Sequence, residues 1–191
     1  MRAIFLILCA VLLNGCLGMP ESVKPVSDFE LNNYLGKWYE VARLDHSFER
    51  GLSQVTAEYR VRNDGGISVL NRGYSEEKGE WKEAEGKAYF VNGSTDGYLK
   101  VSFFGPFYGS YVVFELDREN YSYAFVSGPN TEYLWLLSRT PTVERGILDK
   151  FIEIDRKSVV LIQIGSFTFS SNKYLTNASR GTVNAWRFQS H

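Results

Sequence analysis

The chain has 191 residues, of which 44 % are hydrophobic and 15 % aromatic, and its formal net charge is −1. This length suits one globular domain with a sizeable core, and the near-neutral charge argues against nucleic-acid binding, which needs a clustered basic face. Beyond the first sixteen residues the sequence has no paired His or Cys at metal-ligand spacing. We therefore expect no nucleic-acid partner, no metal and no cofactor.

The N-terminus, MRAIFLILCAVLLNGC, has the features of a secretion signal. Arg2 supplies a positive start, and the apolar run over 3–13 is too short to span a bilayer as a helix. We predict a signal peptide over 1–15. The last four residues, LNGC, resemble the lipobox of bacterial lipoproteins, which implies that Cys16 is acylated and becomes the mature N-terminus. The alternative, an ordinary free or disulfide-bonded Cys16, would leave a lone thiol in an oxidising compartment.

The residues after Cys16 predict the membrane to which the protein is sorted and a linker to the folded domain. Leu17 stands where lipoproteins retained in the inner membrane carry Asp, so the resemblance implies a lipid-anchored protein of the outer membrane that faces the periplasm. Residues 17–27 contain two Pro and no periodicity. We predict that 16–30 form an acylated tether between the membrane and the domain.

Between Gly36 and Arg139 the sequence reads as eight short strands separated by turn signals. QVTAEYRVR alternates apolar and polar residues, and the NDGG that follows is a hairpin turn. The remaining strand patterns are GKWYE, ISVLNRGY, EWKEAEGKAYFV, YLKVSFF, YVVFELD, YSYAFVSG and EYLWLLS. This pattern predicts an all-β fold, an eight-stranded up-and-down antiparallel barrel, because closure removes exposed edges. An immunoglobulin-like sandwich is the alternative, but no Cys pair supports it.

One helix follows the strands. Thr140 is suited to cap it and Pro141 to occupy its first position. Val143, Ile147, Phe151 and Ile154 recur at helical spacing. We expect this apolar stripe to pack on the barrel wall.

Two motifs that bracket the strands carry a family resemblance. Gly36-Lys37-Trp38-Tyr39 and Leu137-Ser138-Arg139 resemble the paired signatures of the lipocalin family, in which the Trp closes the blunt end of the barrel and the Arg packs across its ring. ARLDHSFERGL, GKAYF, KVSFFGPFYG and YLWLLSRTP are similar to the bacterial outer-membrane lipocalins of the apolipoprotein D branch. The resemblance covers 31–151. The middle signature of the family is present only as Leu116-Asp117-Arg118.

The resemblance also sets the domain boundaries. The family follows its helix with a short extended segment, for which 159–163 is the candidate. We predict one domain over 31–165, made of the barrel, the helix and this short final strand. Residues 166–191 form an atypical tail to which no role is assigned.

Strand parity turns one set of mostly large, apolar side chains toward the barrel interior. The predicted ligand-contacting residues are Ala57, Tyr59, Val69, Asn71, Leu99, Val101, Phe103, Tyr111, Val113, Phe125, Tyr133 and Trp135. Such a lining suits a long acyl chain, held by burial at roughly 25 cal/mol per Å², with a polar head near the mouth. The fourth strand, EWKEAEGKAYFV, allows either register, of which we expect the one that turns Ala84, Gly86 and Ala88 inward and leaves room for a ligand. The alternative is that all these side chains fill a solid core.

The resemblance implies a lipid-binding protein that is not an enzyme. Bacterial outer-membrane lipocalins are expected to hold a fatty acid or lysophospholipid, in storage, transport or repair of envelope lipids, and a homodimer is possible for this branch. His46, expected at the surface of a loop, is the one His outside the tail. Two alternatives stay open: a lipocalin-fold enzyme acting on a lipid, and a structural envelope lipoprotein with a filled barrel.

Changing Cys16→Ser tests the anchor. We expect the variant to leave the membrane fraction, because each buried CH₂ of an acyl chain contributes roughly 0.8 kcal/mol and several chains act together. Fractionation of cells, followed by immunoblotting of the soluble and outer-membrane pools, measures the shift. Continued co-fractionation of the variant with the outer membrane would contradict the lipobox interpretation.

Overall fold

Eight strands follow one another around a closed barrel in the computed structural model, which describes residues 17–159 and 167–169. The strands are β1 (Gly36–Leu44), β2 (Leu52–Val61), β3 (Ile67–Ser75), β4 (Glu80–Phe90), β5 (Tyr98–Ser102), β6 (Gly109–Leu116), β7 (Tyr123–Ser127), β8 (Leu134–Ser138) and a ninth, β9 (Phe167–Phe169); the helices are α1 (Leu31–Tyr34) and α2 (Arg145–Val159). Each strand up to β8 pairs antiparallel with the next, and β8 returns to pair with β1. The predicted up-and-down barrel with one C-terminal helix is confirmed.

The register of the strands separates an inner face from an outer face. Ala57 of β2 lies opposite Asn71 of β3, and Tyr59 lies opposite Val69. Residues directly opposite each other in an antiparallel pair project to the same side of the sheet. Most residues of this inner set are buried in one cluster inside the barrel. The connections alternate between two ends, which we call the closed end, where β1 starts, and the open end, where β1 finishes.

The closed end is plugged by Trp38, whose side chain is fully buried. Its Nε1 donates a hydrogen bond of 2.7 Å to the Tyr34 carbonyl oxygen. The Arg139 guanidinium lies 3.9 Å from the ring centroid and donates to the carbonyl oxygens of Asn33 and Lys37. The cation–π contact contributes roughly 0.5–2 kcal/mol, and the hydrogen bonds fix the Arg139 plane over the ring.

The segment before α1 belongs to the domain and is not a free tether over its whole length. Val26 donates its N–H to the Val113 carbonyl oxygen and accepts from the Gly97 N–H, both at 2.9 Å. Phe29 is buried, with its ring centroid 5.1 Å from that of Tyr34. The boundary predicted at residue 30 is therefore wrong, because the apolar side chains within this Pro-containing stretch pack against the barrel. Cys16, the predicted signal peptide and residues 170–191 lie outside the described residues.

Helix α2 packs on the outer face of the barrel as expected but begins later than predicted. It starts at Arg145, and Thr140 instead bonds through its Oγ1 to the Thr142 carbonyl oxygen. Leu148 and Phe151 are buried against the wall. Val143, Ile147 and Ile154 from the predicted stripe pack around them.

Phe125 belongs to this outer cluster, so its predicted inward position is wrong. Its ring centroid lies 5.2 Å from that of Phe151 in an edge-on contact. The inner face of β7 is formed by Ala124 and Val126 instead. Both faces of β7 are buried, one inside the barrel and one under α2. Because the strand therefore lacks an alternation of apolar and polar residues, its sequence does not show which side chains point into the lumen.

The last described strand lies further along the chain than predicted. Val159 is the final residue of α2, whereas β9 pairs antiparallel with 42–44 of β1. The extended segment was expected at 159–163, and residues 160–163 lie outside the described residues. The first part of the tail, to which no role was assigned, therefore contributes backbone hydrogen bonds to the barrel.

Substituting Phe151→Ala should lower the free energy of unfolding by roughly 3–5 kcal/mol, because it removes a fully buried aromatic side chain and leaves a cavity against Phe125. Urea denaturation followed by Trp fluorescence measures the change. The matched control is Phe107→Ala, since that ring is 65 % exposed and its loss should leave stability nearly unchanged. Equal stability of both variants would show that α2 does not depend on this contact.

Candidate functional site

The barrel interior is lined mainly by the side chains predicted to face a ligand. Five of the predicted residues are buried in the inner cluster, namely Ala57, Tyr59, Val69, Leu99 and Val113. Four others pack against that cluster while remaining partly accessible, namely Val101, Phe103, Tyr111 and Trp135. The partial exposure of large apolar side chains on an inner face is what a cup with accessible walls produces.

The inner face of β4 is built from three small residues. Ala88 is buried in the inner cluster, opposite Ile67. A Cβ on Gly86 would come within 2.8 Å of the Phe103 ring, so the glycine makes room for that ring and not for a ligand. Ala84, one step nearer the open end, is exposed. The lumen is therefore packed at mid-height and accessible above it.

Three tyrosine hydroxyls meet near the floor of the lumen. The Tyr111 hydroxyl lies 2.7 Å from that of Tyr34 and 2.8 Å from that of Tyr59. Burial raises the pKa of all three hydroxyls above the ordinary tyrosine value. They remain protonated at physiological pH and form a neutral hydrogen-bonded chain in an otherwise apolar region.

Asn71 places an unsatisfied amide on the inner face. It lies opposite Ala57 on one side and Ala84 on the other. Its Oδ1 is buried and accepts no hydrogen bond within the described part of the chain. A buried polar atom without a partner costs roughly 1–3 kcal/mol, so a ligand group or water that donates to it would be stabilised.

A buried charge network lies on the open half of β1 and was missed by the sequence interpretation. A bulge between Glu40 and Ala42 shifts the strand register, so that Glu40 and Arg43 both project inward although they are three residues apart. Both side chains are buried and form an ion pair. Arg43 also donates to the carbonyl oxygens of Glu49 and Leu52, at 2.7 and 3.2 Å. It thereby fixes the connection that follows β1.

The charges of this network do not balance. The Glu49 carboxylate lies 3.8 Å from Arg43 Nε, so two buried carboxylates share one guanidinium. Burial, followed by repulsion from Glu49, raises the pKa of Glu40 from 4.5 to about 8, against the opposing effect of Arg43. The Glu40 carboxyl therefore loses its proton at a higher pH than an exposed carboxyl does.

Aromatic rings cover this network at the open end. His46 stacks on Phe48 with ring centroids 4.1 Å apart and approaches Tyr133 and Trp135 at 5.5 and 5.2 Å. Trp135 Nε1 donates to Glu49 Oε2 at 3.0 Å, and His46 Nε2 lies 3.1 Å from the same oxygen. His46 is buried, so its expected surface position is wrong. Tyr133 lies in the connection before β8, where its ring contacts those of His46 and Trp135, and its predicted contact with a ligand stays a prediction.

The fold and the lining of the lumen agree with the family and the relatives to which the chain is similar. Residues 29–160 match the family model described as a lipocalin-like domain. The chain is a lipocalin. It is 97 % identical over 157 residues to the outer membrane lipoprotein Blc of Vibrio cholerae, covering 82 % of this chain and 92 % of that protein. Over 135 residues it is 53 % identical to outer membrane lipoprotein Blc of Escherichia coli K12, covering 71 % and 76 %.

More distant relatives share the same architecture. Mouse apolipoprotein D is 31 % identical over 135 residues, which cover 67 % of this lipocalin and 70 % of that protein. Insecticyanin from the tobacco hornworm superposes with a TM-score of 0.61 at 22 % identity, over 81 % of this chain and 86 % of that one. The structural likeness shows the fold alone.

These relatives place this lipocalin among the outer-membrane lipoproteins, in a family whose members generally bind small hydrophobic molecules. Within residues 17–159 and 167–169, no group of three or more His, Cys, Asp or Glu is arranged to hold a metal ion. No helix in the same part of the chain is long and apolar enough to cross a membrane.

Glu40 should make stability depend on pH. Its pKa is raised on folding, so the folded state binds more protons than the unfolded state between pH 4.5 and about 8. The free energy of unfolding should therefore fall as pH rises through this window, by roughly 1–4 kcal/mol. Urea unfolding at several pH values measures the slope. Glu40→Gln should flatten it, whereas the exposed control Glu77→Gln should not; an unchanged slope in Glu40→Gln would assign the dependence elsewhere.

Proposed function

We propose that this lipocalin reversibly holds a fatty acid or lysophospholipid in the lumen of its barrel. The observation that carries the proposal is the inner wall itself: Val101, Phe103, Tyr111 and Trp135 are apolar or aromatic, face inward and keep part of their surface accessible. Apolar surface left accessible in a concave site favours a hydrocarbon ligand, because its burial yields roughly 25 cal/mol per Å².

The polar groups of the lumen suggest how the ligand would lie. The floor beneath Tyr111 is closed by Trp38 and Arg139, so an acyl chain entering from the open end would run toward it along Phe103 and Val101, which stay partly accessible. Asn71 lies higher, opposite the exposed Ala84. We place the polar end of the ligand on this side, where a hydroxyl or ammonium group would donate to Asn71 Oδ1.

We propose that no bond is made or broken in the bound lipid. The one pair that resembles an acid–base couple, His46 and Glu49, is buried beneath aromatic rings, and Glu49 already accepts from Trp135 and contacts Arg43. Acylation at Cys16 would hold the cup at a high local concentration of lipid, so that modest affinity would suffice for storage, transport or repair of envelope lipids. A homodimer is not required for this mechanism and stays a prediction.

Filling the lumen tests the proposal. Val101→Trp adds a large ring to the inner face opposite Ala88 and should weaken binding of oleate and of an oleoyl lysophospholipid by roughly tenfold or more, because the ring occupies the volume of the acyl chain. Isothermal titration calorimetry on delipidated protein measures both affinities. The control is Val61→Trp, at a 58 % exposed position past the floor at the closed end, which should bind as the unsubstituted protein does.

The same mixtures separate the alternatives. A barrel filled by its own side chains would show no saturable heat with either lipid. An enzyme would bind the lipid and then consume it, and mass spectrometry of the recovered lipid would show the product. Saturable binding with quantitative recovery of intact lipid is the result that we expect.

A further inference from the structure

Exposed aromatic side chains are concentrated at the open end. Phe104 is 80 % exposed, Phe107 65 % and Phe48 61 %. Phe104 and Phe107 lie in the connection from β5 to β6, where residues 103–108 read FFGPFY and contain no charged residue. Phe48 lies in the connection from β1 to β2. Single exposed apolar residues are ordinary, but three Phe at one end of a barrel form a surface that water solvates poorly.

The open end is unevenly polar around its circumference. The connection from β3 to β4 contains Glu76, Glu77 and Lys78, all exposed. Following the strand order, this charged connection lies between the two that carry the exposed Phe residues, and across the barrel from the connection of β7 to β8. We call the β5–β6, β7–β8 and β1–β2 connections the aromatic sector, in which the Tyr133 ring stacks on Phe48 with ring centroids 6.1 Å apart. The sector also carries Glu132 and the Arg50–Asp45 pair.

The described chain begins beside this sector. The Leu17 carbonyl oxygen accepts a hydrogen bond of 2.7 Å from the Tyr98 hydroxyl. A Cβ on Gly18 would lie 3.6 Å from the carbonyl oxygen of Pro129, which is in the connection from β7 to β8. Gly18 therefore lies beside the β7–β8 connection, at the open end of the barrel. An acyl group on Cys16 would enter a bilayer at this end of the barrel.

The closed end offers no comparable surface among the described residues. Its connections carry charged side chains, including the Arg62–Asp64 pair and Arg118. Val61 is the exposed large hydrophobic residue there. A barrel held at the membrane with its closed end down would bury these charges against the lipid and leave the three Phe residues in water.

We propose that Phe48, Phe104 and Phe107 form a docking rim that inserts into the interfacial region of a phospholipid bilayer, with the open end of the barrel turned toward the membrane. Aromatic side chains are favoured at this depth, where their apolar surface leaves water without crossing the hydrocarbon core. The rim makes contact on one side only, so the barrel axis tilts and the charged β3–β4 connection stays in water. This orientation goes beyond lipid binding in the lumen and does not require a bound ligand.

Depth-dependent quenching tests the orientation. Phe104→Cys and Val61→Cys each place one thiol on an exposed apolar position, the first at the rim and the second at the closed end. Each full-length variant, purified from membranes in its processed and anchored form, is labelled with NBD and reconstituted into phosphatidylethanolamine–phosphatidylglycerol vesicles that contain a doxyl-labelled lipid. The unsubstituted protein, treated identically, gives the background from Cys16.

We expect severalfold stronger quenching and a blue-shifted emission for the label at position 104 than for the label at position 61. Equal quenching at both positions, or stronger quenching at the closed end, would overturn the proposal. A blue shift at position 104 that is already present without vesicles and grows with protein concentration would assign the rim to contact between two copies of the chain, which also overturns it.

A second set of variants separates the rim from the anchor. A label on Thr131→Cys, an exposed position in the β7–β8 connection, reports the height of the open end above the bilayer. The double substitution Phe104→Ser and Phe107→Ser should lower its quenching markedly while the protein stays in the membrane fraction. The matched substitution Val61→Ser should leave the quenching unchanged. Quenching that is unaffected by loss of both Phe side chains would show that the anchor alone sets the orientation.

Discussion

The whole barrel depends on strand β1, because its pairing with β8 closes the sheet. One edge of β1 bonds to β8 over 39–43, and the other bonds to β2 over 36–39 and to β9 over 42–44. A sheet of eight strands closes only if its first strand meets its last, and here β1 also has to hold the plug at its start and the charge network at its middle. The bulge after Glu40 makes this possible, since it lets Trp38, Glu40 and Arg43 all face inward.

The two ends of the barrel are closed by different physical means. At the floor, Trp38 fills the space with apolar volume, and Arg139 is held above it by neighbouring backbone carbonyls. At the mouth, Arg43 binds the backbone of the β1–β2 connection from within, and the rings of His46 and Trp135 cover the charges. The floor therefore resembles an ordinary protein core, whereas the mouth combines buried charge with accessible aromatic surface.

The sequence was sufficient for most of the barrel because strands β2 to β4 keep one face in water. In β2 the alternation of Ala57 and Tyr59 with partly exposed polar neighbours fixed the parity, and hairpin turns fixed the boundaries, whereas the pattern of β4 allowed either register. Parity could not be predicted for β7, where α2 buries the outer face and Phe125 is as buried as its inward neighbours. The charge network was hidden for a different reason: a charged residue on a strand is normally placed on the solvent face, and nothing in the local sequence announces a bulge.

The segment from Leu17 to Phe29 leads from the predicted anchor to the closed end of the barrel, where Phe29 packs on Tyr34. Its first attachment is one hydrogen bond to Tyr98, whereas Val26 is held by two backbone bonds and Phe29 by burial. A force that pulls on the chain at Leu17 would therefore break its hydrogen bond to Tyr98 before it acted on Val26, on Phe29 and on the closed end. The chain between the predicted anchor and the barrel would thus lengthen by releasing Leu17 while the contacts of Val26 and Phe29 stay in place.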